Sequence, residues 1–214
     1  MTPKRLIDVA GSVAGLCVAA PVIALAAVAI KLDSPGPVFF TQPRIGLNGI
    51  AFRVLKLRTM SVGTRPVEGT ETQADDPRIT RIGTFLRRTG LDELPQLICV
   101  LRADMSLVGP RPLLQWENDL CDARQSTRLS VRPGLTGLAQ VSGRNRIDWD
   151  HRMELDAQYV ERMSLRLDLW IMTQTVGVVL GGRDAYHDSP ARATVDRVAS
   201  RPAATAAHAS QGVT

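Results

Sequence analysis

Thr89-Gly90-Leu91-Asp92-Glu93-Leu94-Pro95-Gln96-Leu97 runs straight into the apolar stretch Ile98-Cys99-Val100-Leu101. Thr89, with Asp92 three positions on, has the pattern of a capping box that opens a helix. Pro95 fits only near the start of that helix, because it has no N–H to donate and its ring would clash further in. The spacing predicts a helix over 91–101 with Asp92 and Glu93 at its N-terminus. Unpaired N–H groups and the positive end of the dipole favour negative charge there, whether the carboxylates themselves or a bound phosphate. Successive helical residues point about 100° apart, so the two carboxylates cannot do one job on one atom. One is free to attack while the other holds a metal. Taken alone, such a pair is more often the solvated acidic start of an ordinary helix, so its surroundings have to decide.

The chain of 214 residues suits one domain with appendages. A formal net charge of +5 and a pI of about 9.6 favour anionic partners: nucleic acid, phosphorylated small molecules or the acidic face of a membrane. Aromatic residues make up 4% of the chain, which argues against a stacking surface for single-stranded nucleic acid. The three cysteines, Cys17, Cys99 and Cys121, form no C-x-x-C pattern, and His151, His187 and His208 show no ligand spacing. Reduced thiols and no structural zinc are expected.

No charged residue occurs from Val9 to Ile30, while Lys4 and Arg5 precede that run and Lys31 comes after it. As a helix it would reach about 33 Å, enough to cross a hydrocarbon core. Three readings fit the composition: a signal peptide, a straight transmembrane anchor, and a helix broken at Pro21 that enters the bilayer and turns back. Positive charge at both ends is compatible with both ends on the cytoplasmic side.

Asp33-Ser34-Pro35-Gly36-Pro37 reads as a rigid exit turn. Val38 to Phe40 and Ala51 to Arg58 read as strands, with Lys56 and Arg58 on one face by the period of two. Ser61 to Asp76 is polar and reads as a surface loop. Next is a basic amphipathic helix, with Ile82, Phe85 and Leu86 on its apolar face and Arg87-Arg88 at its end. Gly109-Pro110-Arg111-Pro112 holds a guanidinium on a stiff frame, which suits a phosphate or carboxylate. Leu113 to Arg128 reads as a polar helix. Ser142-Gly143-Arg144-Asn145 carries an arginine beside glycine, and 150–180 reads as helical. Residues 183–214 lack an apolar pattern and read as a disordered tail.

Asp148-Trp149-Asp150 matches the D-x-D pattern by which many glycosyltransferases hold a metal and a nucleotide diphosphate. It competes with a more extensive set: Lys4-Arg5-Leu6-Ile7-Asp8, Ser34-Pro35-Gly36-Pro37-Val38-Phe39-Phe40, Lys56-Leu57-Arg58-Thr59-Met60, Leu91 to Leu97, Met105 to Pro112, Arg132-Pro133-Gly134-Leu135-Thr136-Gly137, Ser142-Gly143-Arg144, Asp156, Tyr159-Val160 and Leu167-Asp168. In this order and spacing the chain resembles the bacterial sugar transferases, the monotopic phosphoglycosyl transferases that start glycan assembly on a polyprenol carrier. The resemblance runs from about Lys4 to Tyr186.

That resemblance implies an α+β fold, mostly helical, with a re-entrant membrane helix over 1–33, an interfacial catalytic domain over 34–182 and a few short strands. It implies transfer of a phosphosugar from a UDP-sugar to an enzyme carboxylate, release of UMP, and attack on the intermediate by polyprenol phosphate. Asp92 matches the family's nucleophile and Glu93 its partner and Mg2+ ligand. Lys56, Arg58, Arg88, Arg111 and Arg144 are the candidates for binding the donor's phosphates. Asp156 and Asp168 occupy family acidic positions that support the metal or tie helices together, with the structural role favoured. Pro21 becomes the turn of the re-entrant helix, although Ala20 stands where the family often has a serine. Without extra spans or a further N-terminal domain, the chain resembles the family's minimal form. The implied partners are the donor, the polyprenol phosphate and the inner leaflet of the bacterial inner membrane on its cytoplasmic face. Homodimerisation is left open and no nucleic acid is expected. The competing expectations are a direct-transfer glycosyltransferase using Asp148 and Asp150, which would release UDP, and a non-enzymatic basic membrane module.

Overall fold

The computed structural model describes residues 2–63, 76–143 and 147–180. The fold is α+β and mostly helical. Helix α1 (Pro3–Asp33) leads into the antiparallel hairpin β1 (Phe39–Ile45) and β2 (Ala51–Leu57). Then come α2 (Arg81–Thr89), α3 (Gln96–Leu101), β3 (Ser106–Val108), α4 (Gln115–Asp119), β4 (Gly134–Thr136), α5 (Leu138–Ser142), α6 (Trp149–Arg162) and α7 (Leu165–Leu180). Strands β3 and β4 pair in parallel, with Ser106 opposite Gly134 and Val108 opposite Thr136. The surface loop expected after Ser61 and the tail expected over 183–214 fall largely or wholly outside the described residues.

Helix α1 continues through Pro21, which does not divide it into two helices. Its buried residues, Asp8, Ser12, Ala19, Ala26 and Ile30, recur at spacings of four or seven and keep one stripe against the domain. Pro21 lies on the exposed side of the helix. Both ends of α1 are bound to the domain. At the start, Arg5 donates to the carbonyls of Val100 (2.6 Å) and Leu101 (2.9 Å), which closes the C-terminus of α3. Asp8 Oδ1 accepts from Ser106 Oγ and from the Leu107 amide, both at 2.9 Å. At the far end, Asp33 accepts from the Ile82 amide at 3.0 Å, in the first turn of α2. The segment is therefore part of the folded core.

The opposite side of α1 exposes Leu6, Val13, Val18, Leu25, Val28 and Leu32. This is the one helix among the described residues long and apolar enough to cross a membrane. An exposed apolar face of that length is unfavourable in water and calls for cover by lipid. By length and composition α1 is a candidate membrane helix.

Two expected helices are shorter than their sequence suggests. The 113–128 segment divides into α4 and a 3₁₀ stretch at Gln125–Ser130. The 150–180 segment divides at Met163-Ser164 into α6 and α7. Small apolar clusters join the elements: Ala26 and Ile30 with Leu57 and Leu86, Cys99, Val100 and Met105 under β2, and Val108 with Tyr159 and Ile171. The first two hold β2, α2 and α3 together, and the turn bearing Asp92 and Glu93 lies between α2 and α3.

Candidate active site

Asp92 and Glu93 do not open an α-helix. Thr89 Oγ1 donates to the Phe85 carbonyl at 2.9 Å, so it finishes α2 and caps no later helix. Gly90 ends α2 with φ of 72°, a left-handed conformation that a glycine adopts without strain. Leu91–Glu93 then form a single 3₁₀ turn, and α3 starts only after Pro95. The capping-box expectation fails because Thr89 is reached by a helix that arrives from the N-terminal side. The separation of the two carboxylates survives, since 3₁₀ neighbours point about 120° apart.

Their environments differ sharply. Glu93 Oε1 accepts from Lys56 Nζ at 2.7 Å and from Arg111 Nη2 at 3.1 Å. Arg111 and Lys56 hold the Glu93 carboxyl well below the usual carboxylate range, against the opposing effect of burial. Asp92 is 9% exposed and accepts no hydrogen bond from any described residue. Burial, reinforced by the charge of Glu93, pushes its carboxyl up to about 6, while Lys56, Arg87 and Arg111 pull the other way. One carboxylate is firmly charged and tied down. The other is desolvated and has no hydrogen-bond donor among the described residues.

The candidate phosphate ligands sort clearly. Lys56 on β2 and Arg111 on the Pro110–Pro112 loop meet at Glu93. Arg58 does not join them. It is 6% exposed and donates to the carbonyls of Ser34 (2.8 Å) and Pro35. The exit turn of α1 contains Pro35 and Pro37, which lack N–H groups, so a guanidinium serves carbonyls that the backbone cannot. A side chain on Gly36 would run into that guanidinium. Arg58 thus belongs to the architecture, because the chain leaves β2 at Leu57 and strand alternation no longer sets its direction. Arg88 is exposed on α2 with no described partner. Arg144 lies outside the described residues.

Arg87, absent from the expected set, is the α2 guanidinium that acts on Asp92. Its Nε donates to Thr59 Oγ1 at 2.8 Å. Its two terminal nitrogens make no protein hydrogen bond among the described residues. The signal was present in the helix period. Gly83 and Leu86 are the buried positions of α2, and Arg87, four residues after Gly83, shares their side. The face expected from Ile82, Phe85 and Leu86 is rotated from the one observed, and Phe85 is 57% exposed.

Asp156 and Asp168 lie in buried ion pairs away from the carboxylate corner. Asp156 pairs with Arg128 at 2.9 Å. Asp168 Oδ2 accepts from Lys4 Nζ at 2.6 Å and its Oδ1 from Tyr159 at 2.7 Å. Asp148 is the N-cap of α6, accepting from the His151 amide at 2.7 Å, so the D-x-D pattern has a structural explanation.

Among the described residues no group of three or more His, Cys, Asp or Glu forms a metal cage. Mg2+ does not require one, because it is commonly held by one or two carboxylates with water and substrate phosphate completing the shell. The Asp92 carboxylate and Glu93 Oε2, which the two cations leave unengaged, are oxygen donors that fit this pattern.

The bacterial sugar transferase family model matches residues 1–182. The chain is 44% identical over 191 residues to the UDP-glucose:undecaprenyl-phosphate glucose-1-phosphate transferase of Caulobacter vibrioides, covering 86% of this chain and 72% of that protein. It is 43% identical to the uncharacterized sugar transferase EpsL of Bacillus subtilis, covering 84% of this chain and 88% of that one. It is 39% identical to the exopolysaccharide production protein ExoY of Rhizobium meliloti, covering 86% and 88%. By this match and these relatives the chain belongs to the bacterial sugar transferase family and is a transferase.

Proposed function

We propose that the chain transfers a phosphosugar from a UDP-sugar to a polyprenol phosphate at the cytoplasmic face of the bacterial inner membrane, through a covalent intermediate on Asp92. The observation that carries this reading is the contrast between Asp92, buried and without a hydrogen bond among the described residues, and Glu93, held by Lys56 and Arg111. The relatives' names supply the substrate class: undecaprenyl phosphate and a UDP-hexose for the Caulobacter protein.

In the first half-reaction an Asp92 carboxylate oxygen attacks the phosphorus that bears the sugar. An acyl-phosphate bond forms, the bond to the bridging oxygen breaks, and UMP leaves with the electron pair. In the second, an anionic oxygen of polyprenol phosphate attacks the same phosphorus and Asp92 departs as carboxylate. No net proton is needed in either step. Dividing the transfer lets a soluble donor and a lipid acceptor use one site in turn. Arg87, Arg111 and Lys56 would offset the negative charge of the diphosphate and of the transferring phosphoryl group. Mg2+, held by Asp92 and Glu93, would supply Lewis-acid neutralisation of the diphosphate. Glu93 holds Lys56 and Arg111 together at the site.

Helix α1 lies within one leaflet in this reading, with both ends at the same face. Its polar ends bond to a single domain. A span would put the domain surfaces that bind those ends on opposite sides of a hydrocarbon core about 30 Å thick. The site would then sit at the level of the acceptor's phosphate.

The test is nucleotide release from a panel of UDP-sugars in the presence of polyprenol phosphate. UMP is the expected product, and UDP would refute the reading.

A further inference from the structure

Pro110-Arg111-Pro112 offers little backbone donation of its own, since neither proline has an N–H. Each of its three carbonyls is nevertheless held. The Pro110 carbonyl accepts from the Gly134 amide at 2.8 Å. The Arg111 carbonyl accepts from Arg128 Nη2. The Pro112 carbonyl accepts from Arg44 Nη1 at 3.2 Å, and that guanidinium also reaches Glu117 Oε2 at 3.3 Å. Arg128 is the more deeply buried of the two guanidiniums. Its side chain is 4% exposed and that of its partner Asp156 is 1% exposed. The same Nη2 lies 2.9 Å from Asp156 Oδ2, and Nη1 contacts Met153 Sδ at 3.6 Å. An ion pair that deep gains little stability over well-packed apolar side chains of the same volume. Its distinctive product is geometric: a buried guanidinium whose Nη2 is held on the backbone carbonyl of the residue whose side chain grips Glu93.

We propose that the buried Arg128–Asp156 pair is a positioning device for Arg111, fixing the backbone from which its guanidinium meets Glu93 and the donor's phosphates. Arg128 itself touches no substrate. The inference rests on the reading of Arg111 as a phosphate-binding group.

The test is a double-mutant cycle on the full chain in detergent, reading UMP release and the melting temperature. Arg128→Met with Asp156→Leu removes both charges together, so no buried ion is left unpaired. With Arg111 in place, the donor kcat/KM should fall about 10-fold or more in a chain that still melts cooperatively. In an Arg111→Ala background the same pair of changes should cost less than about twofold, because there is no side chain left to aim. Equal losses in the two backgrounds would mean general damage and would overturn the proposal, as would no loss in either. If the apolar pair does not fold, Arg128→Lys keeps a cation against Asp156 but gives up the planar fork, and is judged by the same two outcomes. Hydrogen exchange is read alongside, and does not depend on the reaction. Peptides covering 107–114 should exchange faster in the variant while those of α3 do not, and unchanged exchange there overturns the clamp. A parent enzyme releasing UDP instead would strike the reaction assignment, leaving the exchange result to decide the clamp.

Discussion

The knot at the start of α1 and the corner after α2 contain similar side chains and use them in opposite ways. In the knot, Lys4 bonds to Asp168, to Tyr159 and to the Val108 carbonyl. Arg5 closes α3, and Asp8 holds the start of β3. Every charged group there spends its bonding capacity on the fold. In the corner, Lys56 and Arg111 converge on a single oxygen of Glu93, Arg87 keeps its terminal nitrogens unengaged among the described residues, and Asp92 is desolvated without a donor. Polar groups that are fully satisfied make architecture. Polar groups left short of partners cost stability and are available for chemistry.

The contrast is broken most directly at Asp92. Asp92→Asn should lower UMP release about 10³-fold or more, since an amide cannot replace the attacking oxygen. The same change should raise stability. The Asp92 carboxyl titrates near 6 when folded, above its ordinary 3.8. Its charged form therefore destabilises the native state above about pH 6, and that penalty disappears as pH falls from about 6 to about 4. At pH 8 the asparagine variant should be more stable by on the order of 2 kcal/mol, read as a higher melting temperature. Asp168→Asn should do the reverse. It leaves Lys4 without its counter-ion in a mostly buried setting, and stability should drop by on the order of 3 kcal/mol, with activity per folded molecule largely kept.

Smaller effects sharpen the corner's boundary. Arg87→Ala should reduce donor kcat/KM about 10- to 100-fold, while Arg88→Ala, one position on, should change it less than about 3-fold. Steady-state assays on the two variants side by side decide between them. The smallest effect is in the pH profile. Without a bound cation Asp92 gains a proton as pH drops through about 6, and Mg2+ on its carboxylate lowers that point, so turnover should decline at or below about pH 6. Asp156 is also pushed up to about 6 by burial, so the acid limb should be measured again in the Arg128→Met, Asp156→Leu chain. Persistence of the limb there assigns it to Asp92.

Much of this was legible in the sequence, and the remainder was hidden for identifiable reasons. Asp92, Glu93, Lys56 and Arg111 stand out by type and company, and they converge. The mostly helical fold follows from the family resemblance, and the apolar run of α1 can also be read from its length. The direction of a guanidinium cannot. Arg58 looks like Lys56 by strand alternation, yet the unsatisfied carbonyls beside Pro35 and Pro37 claim it. Finding Arg87 beside Asp92 required knowing that Gly83, with its backbone pressed against the Thr59 carbonyl, marks the inner face of α2. Thr89 passes for a helix cap until the helix before it is known to run to that residue. Arg128 gives no local sign at all, because its role comes from a loop seventeen residues away. Local pattern marks charged residues by type and company, whereas the partner of Arg128 comes only from a contact between distant segments.

The central claim is that Asp92 carries the phosphosugar between two half-reactions. The most direct measurement is peptide mass spectrometry of the full chain mixed with UDP-sugar and no polyprenol phosphate. A phosphosugar adduct on the peptide containing Asp92, discharged when acceptor is added, is the predicted result. An unmodified chain that still forms polyprenol diphosphate sugar at full rate, or an adduct on another residue, would contradict it.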